Sequence, residues 1–404
     1  MQLPSSVKND ATRLILARAL RGFADGFTSV YLAAYLTLLG FSAFQIGAIV
    51  TSTLIGSAVL TLIVGLFGYR LRARQILYGA TALMALTGSG FGVVSGFWPF
   101  MIVGFLGTLN PSANDVSVFL PTEQAILAGE AQTAARTEIF ARYSLAGALS
   151  GAMGALLSGL PERVSIRFDW SLLNAFRAGF GVYVIAAVII LWLYSGVRHL
   201  STASAAAPKA PLQRSRPIVL RLAALFALDS FGGGFAIDSL LVLWLFLRFG
   251  LSVQTVGAVF FAARALSAFS QLMSPKIAAR IGLVETMVFT HIPANAFLII
   301  AAFMPTAPLA VTFLLLRMAL SSMDVPARQS YVMAVVPPEE RPAAASVTNV
   351  PRSLATALSP LLAGSLLQVS TFGWPLVIGG TLKIIYDVLL LIRFRHVRPD
   401  AHGA

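Results

Sequence analysis

Ser144-Leu-Ala-Gly-Ala-Leu-Ser150 recurs later in the chain as Ser353-Leu-Ala-Thr-Ala-Leu-Ser359, with one residue exchanged. Two further matches precede it in the same order. Arg13-Leu14 and Phe23-x-x-Gly26-Phe27 correspond to Arg221-Leu222 and Phe231-x-x-Gly234-Phe235, and Gly40-Phe-Ser-x-x-Gln45 corresponds to Gly250-Leu-Ser-x-Gln254 with an offset of one residue inside it. Single matches arise by chance in helices rich in Gly, Ala and Leu, but three in one order indicate an internal duplication. The sequence therefore predicts two halves with the same architecture.

The composition is that of a membrane protein. Of the 404 residues, 57% are hydrophobic and 11% are charged, and the mean hydropathy is +0.82, whereas soluble domains carry about 25% charged residues. A helix needs about 20 mostly apolar residues to cross the hydrocarbon layer. The predicted spans are 14–38, 44–68, 75–95, 99–128, 134–160, 176–197, 218–247, 253–279, 283–304, 308–336, 343–369 and 372–394.

These twelve spans and the duplication predict an all-α membrane protein with two six-helix bundles related by pseudo-symmetry. The first bundle is predicted to comprise residues 1–197 and the second residues 218–404. The segment between them, 198–217, contains a run of small and polar residues interrupted by proline, which is typical of a linker.

Basic residues collect on one side of the predicted topology. That side holds Lys8, Arg13, Arg70, Arg72, Arg74, Arg136, Arg198, Lys209, Arg214, Arg216, Lys276, Arg280, Arg341, Arg393, Arg395 and Arg398; the other holds little beyond Arg163, Arg167, Arg177 and Arg248. Because short cytoplasmic loops collect Lys and Arg, a multi-pass protein of the inner (plasma) membrane is predicted, with both termini and the linker in the cytoplasm. The net charge of +13 is thus explained by topology and indicates no nucleic-acid partner.

Charged residues within the spans recur on every third helix. Spans one, four, seven and ten carry Asp25, Asp115, Glu123, Asp229, Asp238, Arg317, Asp324 and Arg328. A charge inside a membrane is costly and normally faces the protein interior or a water-filled cavity. The pattern therefore predicts that one helix in each group of three lines a central cavity.

The loop after the second span resembles a signature of the major facilitator superfamily. Gly65-Leu-Phe-Gly-Tyr69-Arg70-Leu-Arg72-Ala-Arg74 is similar to the family pattern G-x-x-x-D-R-x-G-R-R, with Tyr69 at the position of the family's acid. The resemblance covers essentially the whole chain. It implies a fold in which helices 1, 4, 7 and 10 line the cavity, and a secondary transporter that moves a small organic solute by alternating access, most often with protons.

The direction of transport has a single sequence indication. Gly147-x-x-x-Gly151-x-x-Gly154 in span five partly resembles a glycine-rich motif of family exporters, without its proline, and slightly favours export. Close helix packing through small residues is the alternative interpretation. An uptake symporter and a non-transporting receptor with the same fold remain alternative functions.

The predicted site combines charged and neutral polar side chains. Asp115, Asp229 and Asp238 are candidates for proton binding because desolvation favours a neutral carboxyl group. Two proline-broken stretches, in spans four and ten, place further candidates near the midplane, where broken helices often bind solute. In these stretches Asn110, Asn114, Gln329 and Tyr331 are neutral hydrogen-bonding candidates, and Asp324 and Arg328 are charged candidates. The set also includes Asp25 of span one and Arg317 of span ten, which is expected to face the solute.

Other intramembrane charges are given structural roles. Glu123, Arg142 and Arg352 are predicted to form a charge clamp between helices, and Arg21/Asp25, Asp324/Arg328 and Lys383/Asp387 have the four-residue spacing of local helix pairs. His291 is interpreted as a core or interface residue. The chain has no cysteine and no nucleotide-binding or metalloprotease motif, so a monomer that is not an enzyme and needs no cofactor or metal is expected.

Overall fold

The computed structural model describes residues 5–67, 70–111, 118–130, 133–197, 215–337 and 340–395, and the regular secondary structure in these ranges is helical. The first half contains α1 (Ser5–Leu38), α2 (Ala43–Phe67), α3 (Ala73–Val93), α4 (Phe97–Leu106), α5 (Phe119–Glu130), α6 (Thr133–Leu157), α7 (Leu160–Phe168), α8 (Leu172–Gly179) and α9 (Gly181–Ser195). The second half contains α10 (Arg216–Gly234), α11 (Asp238–Phe249), α12 (Val253–Ile281), α13 (Leu283–Phe303), α14 (Ala307–Ser321), α15 (Asp324–Ala334), α16 (Arg341–Val369) and α17 (Trp374–Phe394).

Each predicted span coincides with one helix or with two consecutive helices, so the predicted all-helical membrane fold is confirmed. Within the described residues, nine stretches are long and apolar enough to cross a membrane. The first, fourth and eleventh predicted spans are not among the nine. The fourth is divided between two short helices, α4 and α5, and the first carries several charges.

Three spans are interrupted near their middle. The fourth breaks after Leu106, the seventh between Gly234 and Asp238, and the tenth between Ser321 and Asp324. Prolines predicted the breaks in spans four and ten. The break in span seven follows the run Gly232-Gly233-Gly234, whose lack of side chains lowers helix stability; this break was not predicted.

The helix contacts of one half are repeated in the other. In the first half, α1 packs along α6, and α3 packs along α9. In the second half, α10 packs along α16 in the place of the first pair, and α13 packs along α17 in the place of the second. The approach of α1 to α6 is close because glycines lie on both sides: a Cβ at Gly26 would lie 2.0 Å from the carbonyl oxygen of Gly151. The repeated contacts agree with the duplication inferred from the sequence.

Among the described residues, the hydrogen bonds and close approaches that join the two halves lie toward the end where α1 ends and α12 begins. The last turns of α1 and α6 meet the first turns of α11 and α12, and α2 packs along α16. At this end the Ser239 hydroxyl donates hydrogen bonds to the carbonyl oxygens of Ser29 (3.1 Å) and Pro111 (2.9 Å). The Arg163 guanidinium donates to the Gln254 side chain at 3.3 Å. The two halves are therefore closed against each other where α1 ends and α12 begins.

Candidate functional site

Eight charged side chains line one cavity of about 270 Å³ in the second half of the chain. They come from seven helices, α10 to α12 and α14 to α17, and Ala148 of α6 supplies wall from the first half. The cavity lies beyond the closed end, and Gln271 on its wall is exposed. The cavity therefore opens away from the end at which the two halves meet.

Asp229 is the centre of a buried ion-pair network in the cavity wall. Its Oδ1 lies 2.6 Å from Lys383 Nζ and 4.0 Å from His291 Nε2, and its Oδ2 lies 3.4 Å from Arg328 Nη1. Arg328 Nη1 also lies 2.9 Å from Asp324 Oδ2, so the pair predicted from the four-residue spacing is present. Asp324 lies in the first turn of α15, where the helix dipole also favours a negative charge.

His291 connects this network to a second buried carboxylate. Its Nδ1 lies 2.9 and 3.1 Å from the two oxygens of Asp387, and the amide of Asn295 donates to Asp387 at 3.4 Å. The sequence predicted that Lys383 pairs with Asp387. In the structure Lys383 Nζ donates to Asp229 of α10 instead. The packing of α10 against α17 brings this carboxylate closer to Lys383 than the carboxylate of Asp387, one turn along α17.

Asp238 and Arg264 form a second ion pair at the junction of the two halves. Arg264 Nη2 lies 2.7 Å from Asp238 Oδ2 and donates to the Ser29 hydroxyl of the first half at 3.0 Å. Asp238 is the first residue of α11, immediately after the break in span seven. The break therefore places Asp238, at the start of α11, in the cavity wall. There Arg264 contacts both Asp238 of the second half and Ser29 of the first.

Arg317 and Arg352 line the same cavity without a carboxylate within 4 Å among the described residues. Arg317 Nη1 lies 3.3 Å from the thioether sulfur of Met318, which is a weak acceptor, and its buried Nε has no hydrogen-bond partner. Arg352 donates from Nε to the Ser230 hydroxyl at 3.1 Å and from Nη1 to Asn349 at 3.4 Å. Both guanidinium groups thus have neutral partners only in the part of the chain that the structure describes.

The structure corrects the predicted charge clamp. Glu123 is buried and accepts hydrogen bonds from Nη1 and Nη2 of Arg21, at 3.0 and 2.6 Å, and from the hydroxyls of Tyr143 and Tyr194. Arg21 was predicted to pair with Asp25, and Glu123 with Arg142, whose side chain is exposed. Arg352, the third predicted member of the clamp, lies in the other half, at the cavity.

The remaining predicted site residues lie elsewhere. Asp25 accepts a hydrogen bond from the Tyr183 hydroxyl at 3.3 Å, inside the first half. Asn110 is buried next to the break in span four, Gln329 is exposed, and Tyr331 is buried with its ring 6.3 Å from that of Phe394. None of these four lines the cavity. Asn114 and Asp115 lie outside the described residues.

Three charged or titratable groups at the cavity were not among the predicted site residues: Arg264, His291 and Lys383. Each is a charged or titratable residue within an apolar span, and that signal was available in the sequence. Lys383 was assigned to a local pair because Asp387 follows at helical spacing. That spacing cannot show that a third carboxylate, on another helix, is closer.

A second concavity is apolar and faces outward. It has a volume of about 420 Å³ and lies between α1, α6 and α9, with Leu16, Phe23, Ile189 and Trp192 in its walls. Trp192 and Leu16 are exposed, as expected of side chains in contact with lipid. Among the described residues, this groove has no charged lining residue, and Ser150 supplies its one polar side chain.

Comparison with known proteins gives matches over most of the chain. The profile of the Major Facilitator Superfamily matches residues 14–323. The uncharacterized membrane protein YJR124C of Saccharomyces cerevisiae is 25% identical over 93% of this chain and 92% of its own length.

Solved structures share the fold at low identity. A D-xylose–proton symporter superposes with a TM-score of 0.75 at 16% identity, covering 96% of this chain and 97% of the symporter. A variant of the nucleoside transporter NupG superposes with a TM-score of 0.73 at 14% identity, covering 95% of this chain and 100% of that one.

Proposed function

Because the chain belongs to the Major Facilitator Superfamily, we propose that it is a secondary transporter that moves a small organic solute across the membrane by alternating access. One observation carries the proposal: a cavity with eight charged lining residues lies at the junction of two similar halves that are closed at one end. Alternating access requires a solute site that faces one side at a time. Transport of a sugar and of nucleosides by proteins of similar fold supports it.

The structure corresponds to one state of the proposed cycle. Under the orientation predicted from the distribution of Lys and Arg, the closed end lies outside and the cavity opens to the cytoplasm. The closed contacts include the hydrogen bond from Arg163 to Gln254 and those from Ser239 to Ser29. Reporter fusions at Arg72 and Lys209 should report the cytoplasm, and a fusion near Arg167 the outside.

We propose proton coupling through Asp229. The groups that face it are Lys383 and Tyr386 of α17, His291 of α13, Arg328 with Asp324 of α15, and Arg352 of α16. When Asp229 binds a proton, Lys383 loses its counterion. Asp387, one helical turn away, is then the nearest alternative on its own helix. Protonation thus changes the pairing between α10 and α17, which is the kind of two-state rearrangement that can link proton binding to opening.

The direction of transport follows from the gradients and from the coupling stoichiometry. Export is the direction that we propose to test first, although the glycine motif that favoured it packs α6 against α1: a Cβ at Gly147 or Gly154 would meet α1. The assay is therefore run with gradients in both directions.

Solute-dependent proton flux in proteoliposomes tests the proposal. Vesicles containing the full chain and a pH-sensitive dye are exposed to a panel of sugars, nucleosides and organic acids. For the wild type and for the exposed-loop control Asp169→Asn, at least one solute should accumulate and move protons. The Asp229→Asn variant cannot bind the coupling proton there, so it should retain solute exchange and lose proton-driven accumulation.

Two results would contradict the proposal in different ways. Solutes that bind the protein but never cross the vesicle membrane would indicate a receptor with a transporter fold. Accumulation by Asp229→Asn that keeps the pH dependence of the wild type would reject coupling through Asp229 while leaving transport intact.

A further inference from the structure

The walls of the cavity carry more positive than negative charge. Five lining residues are basic (Arg264, Arg317, Arg328, Arg352 and Lys383) and three are acidic (Asp229, Asp238 and Asp324). The three carboxylates are engaged by Arg264, Arg328 and Lys383, at 2.6 to 3.4 Å. The excess of two positive charges therefore resides on the two remaining residues, Arg317 and Arg352.

Neither of these arginines can remove its charge by losing a proton. The guanidinium group stays protonated in proteins even when it is buried, so its charge must be balanced by solvent, by a carboxylate or by a ligand. The hydroxyl of Ser230 and the thioether of Met318 supply dipoles and no negative charge. Arg317 also keeps a buried Nε–H without an acceptor. This Nε–H can donate a hydrogen bond to an acceptor that enters the cavity.

We propose that the cavity binds a solute through an anionic group, a carboxylate or a phosphate, held by Arg317 and Arg352. The inference rests on the transport function proposed above and names the chemical class of the solute. Guanidinium groups match the paired oxygens of carboxylate and phosphate and form hydrogen bonds that are stronger than neutral ones. An anion in this place would neutralise the excess charge and give Arg317 the acceptor that it lacks.

The rest of the cavity indicates a small and polar solute. Its volume of about 270 Å³ lies just below the range for sites that hold drug-sized ligands, roughly 300 to 1,000 Å³. Ser267, Gln271, Ser321 and Ser322 also line it and offer hydroxyl and amide groups to the uncharged part of a solute. The paired residues Asp229 and Asp238 sit in the same wall and would repel a second negative charge placed near them.

Ligand-free stability distinguishes a ligand site from a structural ion pair. The purified full chain is compared with Arg317→Gln and Arg352→Gln, and with Arg167→Gln, an exposed arginine outside the cavity, as the matched control. Removal of a charge that has no counterion among the described residues should leave the thermal unfolding midpoint unchanged or raise it. A midpoint that falls in the two cavity variants, and is restored when Asp115→Asn is added, would overturn the proposal by identifying Asp115 as the protein partner.

A second experiment measures how much added ligands stabilise the protein. Succinate, inorganic phosphate and the neutral analogue succinamide are added at equal ionic strength, and the unfolding midpoint is followed against concentration. Succinate or phosphate should stabilise the wild type and Arg167→Gln, and comparison of the two anions distinguishes carboxylate from phosphate. The apparent affinity should fall about tenfold or more in Arg317→Gln, as expected for loss of a charged hydrogen bond. Equal effects of succinate, phosphate and succinamide, or equal affinity in the variants, would overturn the proposal.

The result is separable from a failure of the proposed function. Anion binding that depends on Arg317, without solute movement in vesicles, would support the site and reject transport. Transport of a neutral solute by Arg317→Gln at the wild-type rate would support the transporter and reject the anion site.

Discussion

Arg21 and Glu123 show how a buried charge is accommodated in the first half. Both side chains are almost fully buried, at 3% and 0% relative exposure. Two guanidinium nitrogens and two tyrosine hydroxyls meet the carboxylate, and the ring of Phe119 lies 4.4 Å from the guanidinium carbon. Because all its oxygens are engaged by protein groups, this pair has the features of a structural contact between α1 and α5.

The Glu123→Gln variant should unfold at a markedly lower temperature. It leaves Arg21 charged and buried beside a neutral amide, and an uncompensated buried charge costs about 3 to 5 kcal/mol. The double variant Arg21→Met/Glu123→Leu should recover most of that loss, because an apolar pair has no charge to desolvate. Thermal unfolding of the detergent-purified proteins measures both. Single and double variants of equal stability would show that the pair is not structural.

At the scale of whole helices, small residues determine how closely the helices approach each other. Helix α1 crosses α6 at Gly26 and Gly151, and α10 meets α16 near Gly234 and Ser359. In a membrane, helix association depends on such close packing rather than on the hydrophobic effect. The glycines of α6 are therefore explained by the close packing of α6 against α1.

Gly26→Ala should destabilise the protein by roughly 1 to 3 kcal/mol through overpacking, because the added Cβ would lie 2.0 Å from the carbonyl oxygen of Gly151. Gly79→Ala is the matched control. Gly79 lies inside α3, and a methyl group added there would have no neighbouring atom within 4 Å, so alanine should be neutral or stabilise by about 0.5 to 1 kcal/mol. Thermal unfolding of the two variants compares them. A Gly26→Ala protein as stable as Gly79→Ala would contradict the close crossing.

At the scale of the whole molecule, the two halves are closed against each other where α1 ends and α12 begins, and the proposed transport requires this contact to open. Gly159 and Gln254 lie on opposite sides of this contact, and a Cβ at position 159 would be 2.9 Å from the Cβ of Gln254. Disulfides have Cβ separations of about 3.5 to 4.5 Å, so a small outward shift accommodates one. The chain has no cysteine of its own to interfere.

Oxidation of the double variant Gly159→Cys/Gln254→Cys should stop solute exchange in proteoliposomes, because the crosslink holds the contact end closed. Reductant should restore exchange, and each single variant should be insensitive to oxidant. Electrophoretic mobility before and after reduction follows formation of the crosslink. Undiminished exchange in fully crosslinked protein would show that this end does not open during transport.

The sequence by itself determined the fold class and the approximate positions of the helices that form the predicted spans. Three signals sufficed: the length of the apolar segments, the scarcity of charged residues and the repeat of the Ser144–Ser150 motif. These signals are local or periodic, so they do not depend on which helices contact each other. Five of the eight charged residues that line the cavity, Asp229, Asp238, Arg317, Asp324 and Arg328, were candidate site residues, because a charge is costly in any apolar span; Arg352 was assigned to a charge clamp instead.

Only the tertiary structure decided which charges meet. Arg21 lies four residues from Asp25 and yet contacts Glu123, and Lys383 lies four residues from Asp387 and yet contacts Asp229. Helical spacing measures proximity within one helix, whereas these partners come from helices far apart in the sequence. The same contacts leave Arg317 and Arg352 without a carboxylate among the described residues. Pairing is a property of packed helices, because the nearest opposite charge depends on how the helices cross.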